Sequence, residues 1–170
     1  MPTPAIRKAA PADVTEIKRV TKAAFTLYQN ELNPNVKVDA LSESDADILA
    51  DIAKHTVFVA EDAGRLLGAI RYAMLNSGVA YVYRFAVDHG VGYIGLGSDL
   101  LKAAIADAQA RGAKAITLYT NAKYFTLARY YYGKEFFVHS TDHSKGYIRA
   151  LFVKELIDGA EYDITPAIKK

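Results

Sequence analysis

The spacing of hydrophobic residues in the first part of the chain predicts a strand and then a helix. Residues 5–9 are short and strand-like. After Pro11, apolar side chains recur every three or four positions as far as Tyr28, as they do on one face of a helix. The segment around Pro34 interrupts this pattern, so residues 30–38 are predicted to form a loop.

A second, short helix is predicted from its start signal. Ser44 is followed three residues later by Asp47, an arrangement that resembles a capping box with Asp in place of the usual Glu. Behind this signal, Ile48, Leu49 and Ile52 have the spacing of a single apolar helix face.

Three consecutive strands are predicted next, separated by two tight turns. The strands are residues 56–61, 66–75 and 80–88, and the turns are residues 62–65 and 76–78. Side chains alternate between the two faces of a strand. One face of the third strand is therefore predicted to carry Tyr81, Tyr83, Phe85 and Val87, and the other Val82, Arg84 and Ala86.

The second half of the chain alternates between helices and strands. Helices are predicted at residues 95–111 and 123–132, and strands at 115–121, 136–140 and 146–155. The complete order is β-α-α-β-β-β-α-β-α-β-β. No linker-like segment divides the 170 residues, so we expect a single domain over residues 1–170, with residues 156–170 as a C-terminal tail.

Composition excludes several classes of function. There is no cysteine, which excludes a disulfide scaffold, a zinc–cysteine site and a cysteine nucleophile. The net charge is only +2 and the basic residues are scattered, so a nucleic-acid partner is not expected. No apolar stretch approaches the ~20 residues of a membrane span, and the start lacks the apolar centre of a signal peptide. We expect no membrane association and a cytoplasmic location. The spacing of His, Asp and Glu predicts no metal site.

Four of the eleven glycines lie between positions 90 and 97, after an apolar strand and before an amphipathic helix. A helix N-terminus offers free N–H groups to phosphate oxygens, and glycine lets the backbone approach them. A Walker loop is excluded because Gly97-Ser98-Asp99 lacks the lysine. Residues 90–95 fit a Gly-x-Gly-x-x-Gly string, but their strand is the third of a meander. A glycine-rich turn that fixes strand–helix packing is the alternative.

Two longer patterns resemble the GNAT N-acetyltransferase superfamily. The strand ends in Phe85-Ala-Val-Asp88, and Gly92-Tyr-Ile-Gly95-Leu-Gly97 occupies the place of the family's Arg/Gln-x-x-Gly-x-Gly/Ala signature. Residues 128–137 are similar to the family's Ala-x-x-x-Tyr-x-x-x-Gly-Phe pattern. Gly92 replaces the usual Arg or Gln, and Phe136 replaces a glycine, so Gly133 is expected to supply the bend after the fourth helix. The order of elements agrees over residues 5–155.

The resemblance implies an α/β (α+β) fold with a mixed, mostly antiparallel central sheet flanked by helices. It implies acetyl transfer from acetyl-CoA, as cosubstrate, to an amine. With no cysteine, direct attack in a ternary complex is expected. Backbone near the end of the third meander strand would contact the pantetheine arm and the acetyl group, and the glycine loop the pyrophosphate. The implied coenzyme-binding residues are Phe85, Ala86, Val87, Gly92, Tyr93, Ile94, Gly95, Leu96, Gly97 and Ser98.

Tyr132 aligns with the tyrosine that the family directs at the coenzyme sulfur, so the resemblance implies that it is the general acid, with Tyr131 as the alternative. No base is assigned, although His139 and His143 are candidates. In this family the acceptor lies against the first helix–loop–helix and the last hairpin, here residues 25–41 and 140–146. The expected partner is an amine of a small molecule or a peptide, and a homodimer through the tail is a further expectation. A non-catalytic acyl-CoA sensor and a purely structural domain are the alternative functions.

Overall fold

The computed structural model describes residues 3–170, which form one seven-stranded sheet flanked by helices. The strands are β1 (Ala5–Lys8), β2 (Thr56–Asp62), β3 (Arg65–Met74), β4 (Val79–Val87), β5 (Ala115–Asn121), β6 (Phe137–Asp142) and β7 (Arg149–Glu155). The helices are α1 (Val14–Asn30), α2 (Asp45–Lys54), α3 (Leu96–Ala110), α4 (Phe125–Gly133) and α5 (Thr165–Ile168). The predicted order of helices and strands is confirmed, and α5 is an addition within the tail.

The strands follow the order β1-β2-β3-β4-β5-β7-β6 across the sheet. Neighbouring strands are antiparallel except for β4 and β5, which run parallel and are joined through α3. Strand β7 therefore lies between β5 and β6, although it is the last of the three in the chain. The predicted fold, a mixed and mostly antiparallel sheet flanked by helices, is confirmed.

Local sequence signals explain where several elements begin and turn. The Ser44 N–H donates to Asp47 Oδ2 at 2.7 Å, and the Asp47 N–H donates to Ser44 Oγ at 3.2 Å, which completes the predicted capping box. The turn between β2 and β3 has positive φ at Ala63 and Gly64, as a two-residue hairpin turn requires. Leu49, predicted on the apolar face of α2, is instead 42% exposed.

The predicted alternation of side chains along β4 is wrong beyond Tyr83, because the strand contains a bulge. Tyr83 stands opposite Arg71 and Ala86 opposite Ala69, so two residues of β4 oppose one residue of β3. Arg84, in the bulge, has φ +52°. The bulge turns the next side chains over: Phe85 and Val87 pack on the apolar cluster that also holds Val82, Leu96 and Leu100.

The tail packs against the sheet on the side away from α3. Ala167 of α5 is fully buried beside Leu151 and Val153 of β7. The Tyr119 hydroxyl donates to the Ile168 carbonyl at 3.0 Å. The tail is therefore part of the folded domain within residues 3–170. In this part of the chain, no helix combines the length and the apolar character needed to cross a membrane.

Candidate functional site

The central feature of the candidate site is a slot between β4 and β5. Their parallel pairing runs from Val79 opposite Ala115 to Val82 opposite Leu118 and stops there. Strand β4 continues to Val87 without a β5 partner. Because unpaired strand edges present free N–H and C=O groups, an extended ligand could pair with the backbone in this slot.

The loop after β4 is held by Asp88 and contains two left-handed glycines. The Gly90 N–H donates to Asp88 Oδ1 at 3.0 Å, and Asp88 Oδ2 lies 3.3 Å from the Arg65 guanidinium. Gly92 has φ +72° and Gly95 has φ +86°, a conformation that side chains disfavour. This explains why Gly92 stands where the family has Arg or Gln: this loop makes a left-handed turn there.

The glycine loop is open on its outer side. A Cβ added at Gly92 or Gly95 would meet nothing within 4 Å, and Ile94 between them is completely exposed. Tyr93 faces inward, and its hydroxyl donates to Asp62 Oδ2 at 2.6 Å, which ties the loop to the end of β2. The loop thus presents bare backbone to solvent.

Helix α3 begins at this loop, with its N-terminus directed at the open space. Its first intrahelical bond runs from the Asp99 N–H to the Gly95 carbonyl at 3.0 Å, which leaves the N–H groups of the first turn without helical partners. A Cβ on Gly97 would lie 3.5 Å from Val87 and 3.6 Å from Phe85. The first turn of α3 is therefore in van der Waals range of the end of β4. All ten predicted coenzyme-binding residues line the end of β4, the loop and the first turn of α3.

The three tyrosines of α4 point in different directions. Tyr132 is 55% exposed, and its ring packs edge-on against Phe152 at 5.6 Å. Tyr131 is buried, and its ring also packs on Phe152, at 5.5 Å. The Tyr130 hydroxyl lies 3.4 Å from Ser98 Oγ, at the start of α3. The structure brings Tyr130 to the glycine loop and leaves Tyr132 facing solvent.

The bend after α4 explains this arrangement. The left-handed residue is Glu135, with φ +67°, whereas Gly133 is the last residue of the helix and does not supply the expected bend. The family's pattern places its tyrosine four residues before the glycine of the bend. Counted from Glu135, that position is Tyr131 rather than Tyr132. Burial raises the pKa of Tyr131, so its hydroxyl keeps its proton near neutral pH.

The candidate bases are not gathered at the slot. His139 lies exposed on β6 and contacts Ser140 Oγ at 3.0 Å, and His143 is exposed in the following turn. Glu61, a carboxylate at the end of β2, pairs with Arg7 at 2.6 Å. Within residues 3–170, no group of three or more His, Asp or Glu side chains is arranged to hold a metal ion.

A buried ion-pair network beside the slot was not predicted. Arg71, fully buried in β3, donates two hydrogen bonds to Glu43 at 2.7 and 2.9 Å and one to Asp51 at 3.0 Å. Glu43 also accepts from Arg84 at 3.3 Å. The only sequence signal was an arginine in the middle of an apolar strand. Burial, reinforced by the nearby Asp51 carboxylate, raises the pKa of Tyr83 on the neighbouring strand.

The two segments expected to contact the acceptor meet on this same side. The Tyr28 and Tyr147 hydroxyls lie 3.0 Å apart, which joins the end of α1 to the segment between β6 and β7. A Cβ on Gly146 would lie 3.7 Å from Val36. Burial raises the pKa of Tyr28, so the Tyr28 hydroxyl keeps its proton near neutral pH.

Residues 22–136 match the profile of the acetyltransferase (GNAT) family. The chain belongs to this family. The predicted family, fold and enzyme class of this GNAT protein are confirmed. No protein of curated function matches the sequence.

Solved structures of GNAT proteins share the fold at low sequence identity. The PaiA N-acetyltransferase of Thermoplasma acidophilum, in complex with coenzyme A, is 18% identical with a TM-score of 0.76, over 89% of this chain and 98% of that one. YncA of Salmonella typhimurium, a putative acetyltransferase with its cofactor acetyl-CoA, is 17% identical with a TM-score of 0.75, over 95% and 99%. The ribosomal-protein-S18-alanine N-acetyltransferase of Escherichia coli is 15% identical with a TM-score of 0.72, over 92% and 96%.

Proposed function

We propose that this GNAT protein transfers the acetyl group of acetyl-CoA to the amine of a small molecule or peptide, by direct attack in a ternary complex. The observation that carries the proposal is the slot, which leads from unpaired β4 backbone through a left-handed glycine loop to the N-terminus of α3. Two structural neighbours are described with coenzyme A or acetyl-CoA, which supports the choice of donor.

The residues present fit coenzyme A. The pantetheine arm carries amides that can pair with β4 backbone, and residues 85–87 offer an edge with no strand partner. The pyrophosphate is anionic and suits free N–H groups at a helix N-terminus. Residues 92–98 would bind it through backbone, because Gly92 and Gly95 leave open space where side chains would stand. Acetyl-CoA supplies the activated acyl group, and the protein supplies position and hydrogen-bond donors.

The chemistry needs a neutral amine, a donor for the developing oxyanion and a proton for the departing thiolate. We assign the thiolate proton to Tyr131 in place of the originally predicted Tyr132. Its ring packs on Phe152 of β7, whose β5 partner Leu118 forms the last rung before the slot opens. Among residues 3–170 its hydroxyl has no hydrogen-bond partner, so it is available to a ligand.

The proton of the attacking amine is proposed to leave through water. The carboxylates nearest the β4 bulge are engaged: Glu43 contacts two arginines and Asp51 contacts Arg71. Their oxygens already accept hydrogen bonds from these arginines. The rate of transfer should therefore rise with pH as the free amine population of the acceptor grows.

The first experiment measures coenzyme binding in wild type and two glycine variants. Coenzyme A at 100 times its Kd should stabilise wild type by about 2.7 kcal/mol in a thermal shift. Gly95→Val should abolish this shift, because its side chain would project into the pyrophosphate path. Gly112→Val is the matched control, since Gly112 also has positive φ and open space but lies beyond the far end of α3. Both variants should lose similar intrinsic stability, roughly 1–2 kcal/mol. Equal coenzyme affinity in both would refute the assignment.

The second experiment measures thiol release from acetyl-CoA with a library of amines. Wild type should release thiol with at least one amine, whereas binding without release would indicate an acyl-CoA sensor. Among Tyr130→Phe, Tyr131→Phe and Tyr132→Phe, only Tyr131→Phe should lower kcat by about 100-fold or more, a typical effect of a general acid. A loss confined to Tyr132→Phe would restore the original prediction.

A further inference from the structure

Arg84 has an unusual backbone conformation for a residue inside a strand. Its φ is +52°, in the left-handed region that residues other than glycine rarely occupy. Among residues 3–170, the other two such non-glycine residues are Ala63 and Glu135, and both lie in turns. Residues held in sparsely populated conformations persist only where surrounding contacts impose them, and they concentrate at functional sites.

The contact that holds Arg84 is Glu43. The Arg84 Nε donates to Glu43 Oε2 at 3.3 Å, and the Glu43 side chain is only 7% exposed. Glu43 is itself fixed by two hydrogen bonds from Arg71, whose side chain is completely buried. Asp51 of α2 completes the network at 3.0 Å from Arg71. The charges of Arg71 and Arg84 balance those of Glu43 and Asp51. The buried side chains of Arg71 and Glu43 therefore depend on these ion pairs instead of on water.

This network lies at the start of the β4 bulge. Arg71 stands on β3 opposite Tyr83, the residue before the bulge, and Arg84 is in the bulge itself. The last β4–β5 rung is at Val82. The peptide groups around Arg84 are therefore among the first that have no β5 partner, at the closed end of the slot. In the proposed reaction, an acetyl carbonyl that reaches this end meets those peptide groups.

We propose that Glu43 and Arg84 are a positioning pair for acetyl transfer. Glu43 holds the Arg84 side chain, and this contact fixes the left-handed backbone and aims the free peptide groups of the β4 bulge at the acetyl carbonyl. Neither side chain touches the substrate in this role. The proposal rests on the acetyl transfer proposed above, and it adds a reason for the charges buried beside β3 and β4.

The test compares Arg84→Met with Arg84→Lys. Arg84→Met removes the contact to Glu43 but leaves the Glu43–Arg71 and Arg71–Asp51 pairs intact, so the fold should survive. A backbone displaced by about 1 Å at a reacting centre can cost ~100-fold in rate. We therefore expect kcat to fall by about 100-fold while the Kd for coenzyme A, measured by calorimetry, stays within about twofold. Arg84→Lys keeps a donor for Glu43 and should recover most of kcat.

The matched control is Arg111→Met, which removes an arginine paired with Asp107 at 3.2 Å at the other end of α3. Its kcat should equal that of wild type. An unchanged kcat in Arg84→Met would overturn the proposal. A rise in the KM of the amine alone would make Arg84 an acceptor contact instead, and a joint loss of Tm and coenzyme affinity would make it merely structural. If wild type releases no thiol with any amine, the proposed function fails and the positioning role fails with it.

Discussion

The two faces of strands β3 and β4 differ in the interactions that stabilise them. On the α3 face, Ile70, Val82 and Leu100 pack in an apolar cluster, and Gly68 lets the helix come close. On the α2 face of the same strands, Leu66 and Ala69 also pack in an apolar cluster with Ile48 of α2, but here Arg71 is buried among carboxylates. Apolar packing is non-directional, whereas ion pairs with hydrogen bonds fix both distance and direction.

The difference teaches which face can adapt and which cannot. The α3 face binds its helix through many weak contacts, so a small change in shape there is absorbed by neighbouring side chains. The α2 face adds four charged groups to its apolar contacts, and the removal of Arg71 leaves Glu43 and Asp51 without their main partner. The β4 bulge lies between these two environments. The ion pairs of the α2 face therefore hold the conformation of the bulge, whereas the proposed ligand approaches along the slot.

The largest effect is expected on the charged face. Arg71→Ala should lower the free energy of unfolding by about 3–5 kcal/mol, because Glu43 and Asp51 would keep their burial and lose their main partner. Urea unfolding at neutral pH measures this. The surface pair Arg111–Asp107 is the reference, and Arg111→Ala should cost less than about 1 kcal/mol. Equal losses in the two variants would show that the buried network contributes no more than a surface pair.

On the apolar face, Gly68→Ala tests close packing. The added Cβ would lie 2.7 Å from Leu100 Cδ1 and 3.1 Å from the Ala86 carbonyl oxygen. The Leu100 side chain can move but the strand backbone cannot, so we expect a loss of about 1–3 kcal/mol. Gly133→Ala is the control, since nothing lies within 4 Å of its Cβ position. In a helix, that change should stabilise by roughly 0.5–1 kcal/mol. A neutral Gly68→Ala would mean that the α3 face adapts more than the geometry indicates.

A smaller effect is expected for a part-buried polar link on the α3 face. The Tyr72 hydroxyl donates to Asp107 of α3. Tyr72→Phe removes this bond but keeps the ring, so the loss should be about 1 kcal/mol. Thermal unfolding of Tyr72→Phe and Arg71→Ala, measured side by side, compares the stability that each face loses. A loss as large as that of Arg71→Ala would contradict the contrast between them.

The smallest effect is the acid dependence of Asp107. Although burial opposes ionisation, the Tyr72 hydroxyl and Lys8 hold the pKa of Asp107 below its usual value. A depressed folded-state pKa contributes stability above the unfolded value, ~3.9, and this contribution disappears as the pH falls through the folded pKa. Stability should therefore decline less steeply below about pH 4 in Asp107→Asn than in wild type. Identical slopes in urea unfolding would exclude the contribution.

Local patterns were sufficient to predict most of the fold. Ser44 and Asp47 cap α2 because both partners lie within one turn, and Gly64 turns a hairpin by its own conformational freedom. The glycine loop was equally predictable, since most of its backbone conformation is set by the glycines within residues 90–97. Short-range features of this kind depend on few neighbours, so a single sequence contains the relevant information.

The rest depends on contacts between distant residues. The bulge at Arg84 has no local signature, because it depends on Glu43, which lies 41 positions earlier in the chain. The direction of the α4 tyrosines was ambiguous for a different reason. With three tyrosines in a row, the sequence does not show which of them aligns with the family's tyrosine. That register depends on the left-handed conformation of Glu135, which the amino-acid sequence does not predict. The direction of the α4 tyrosines was therefore less predictable than the conformation of the glycine loop.

The position of β7 between β5 and β6 has a consequence for synthesis of the chain. Strand β5 is complete at residue 121, but the strand that covers its open edge begins only at residue 149. At about 5–20 residues per second, translation leaves that edge unpaired for roughly one to six seconds. An uncovered edge is a template for pairing with another nascent chain. Slow translation of residues 122–148 should therefore increase aggregation during expression, even though the finished sheet has β5 in its interior.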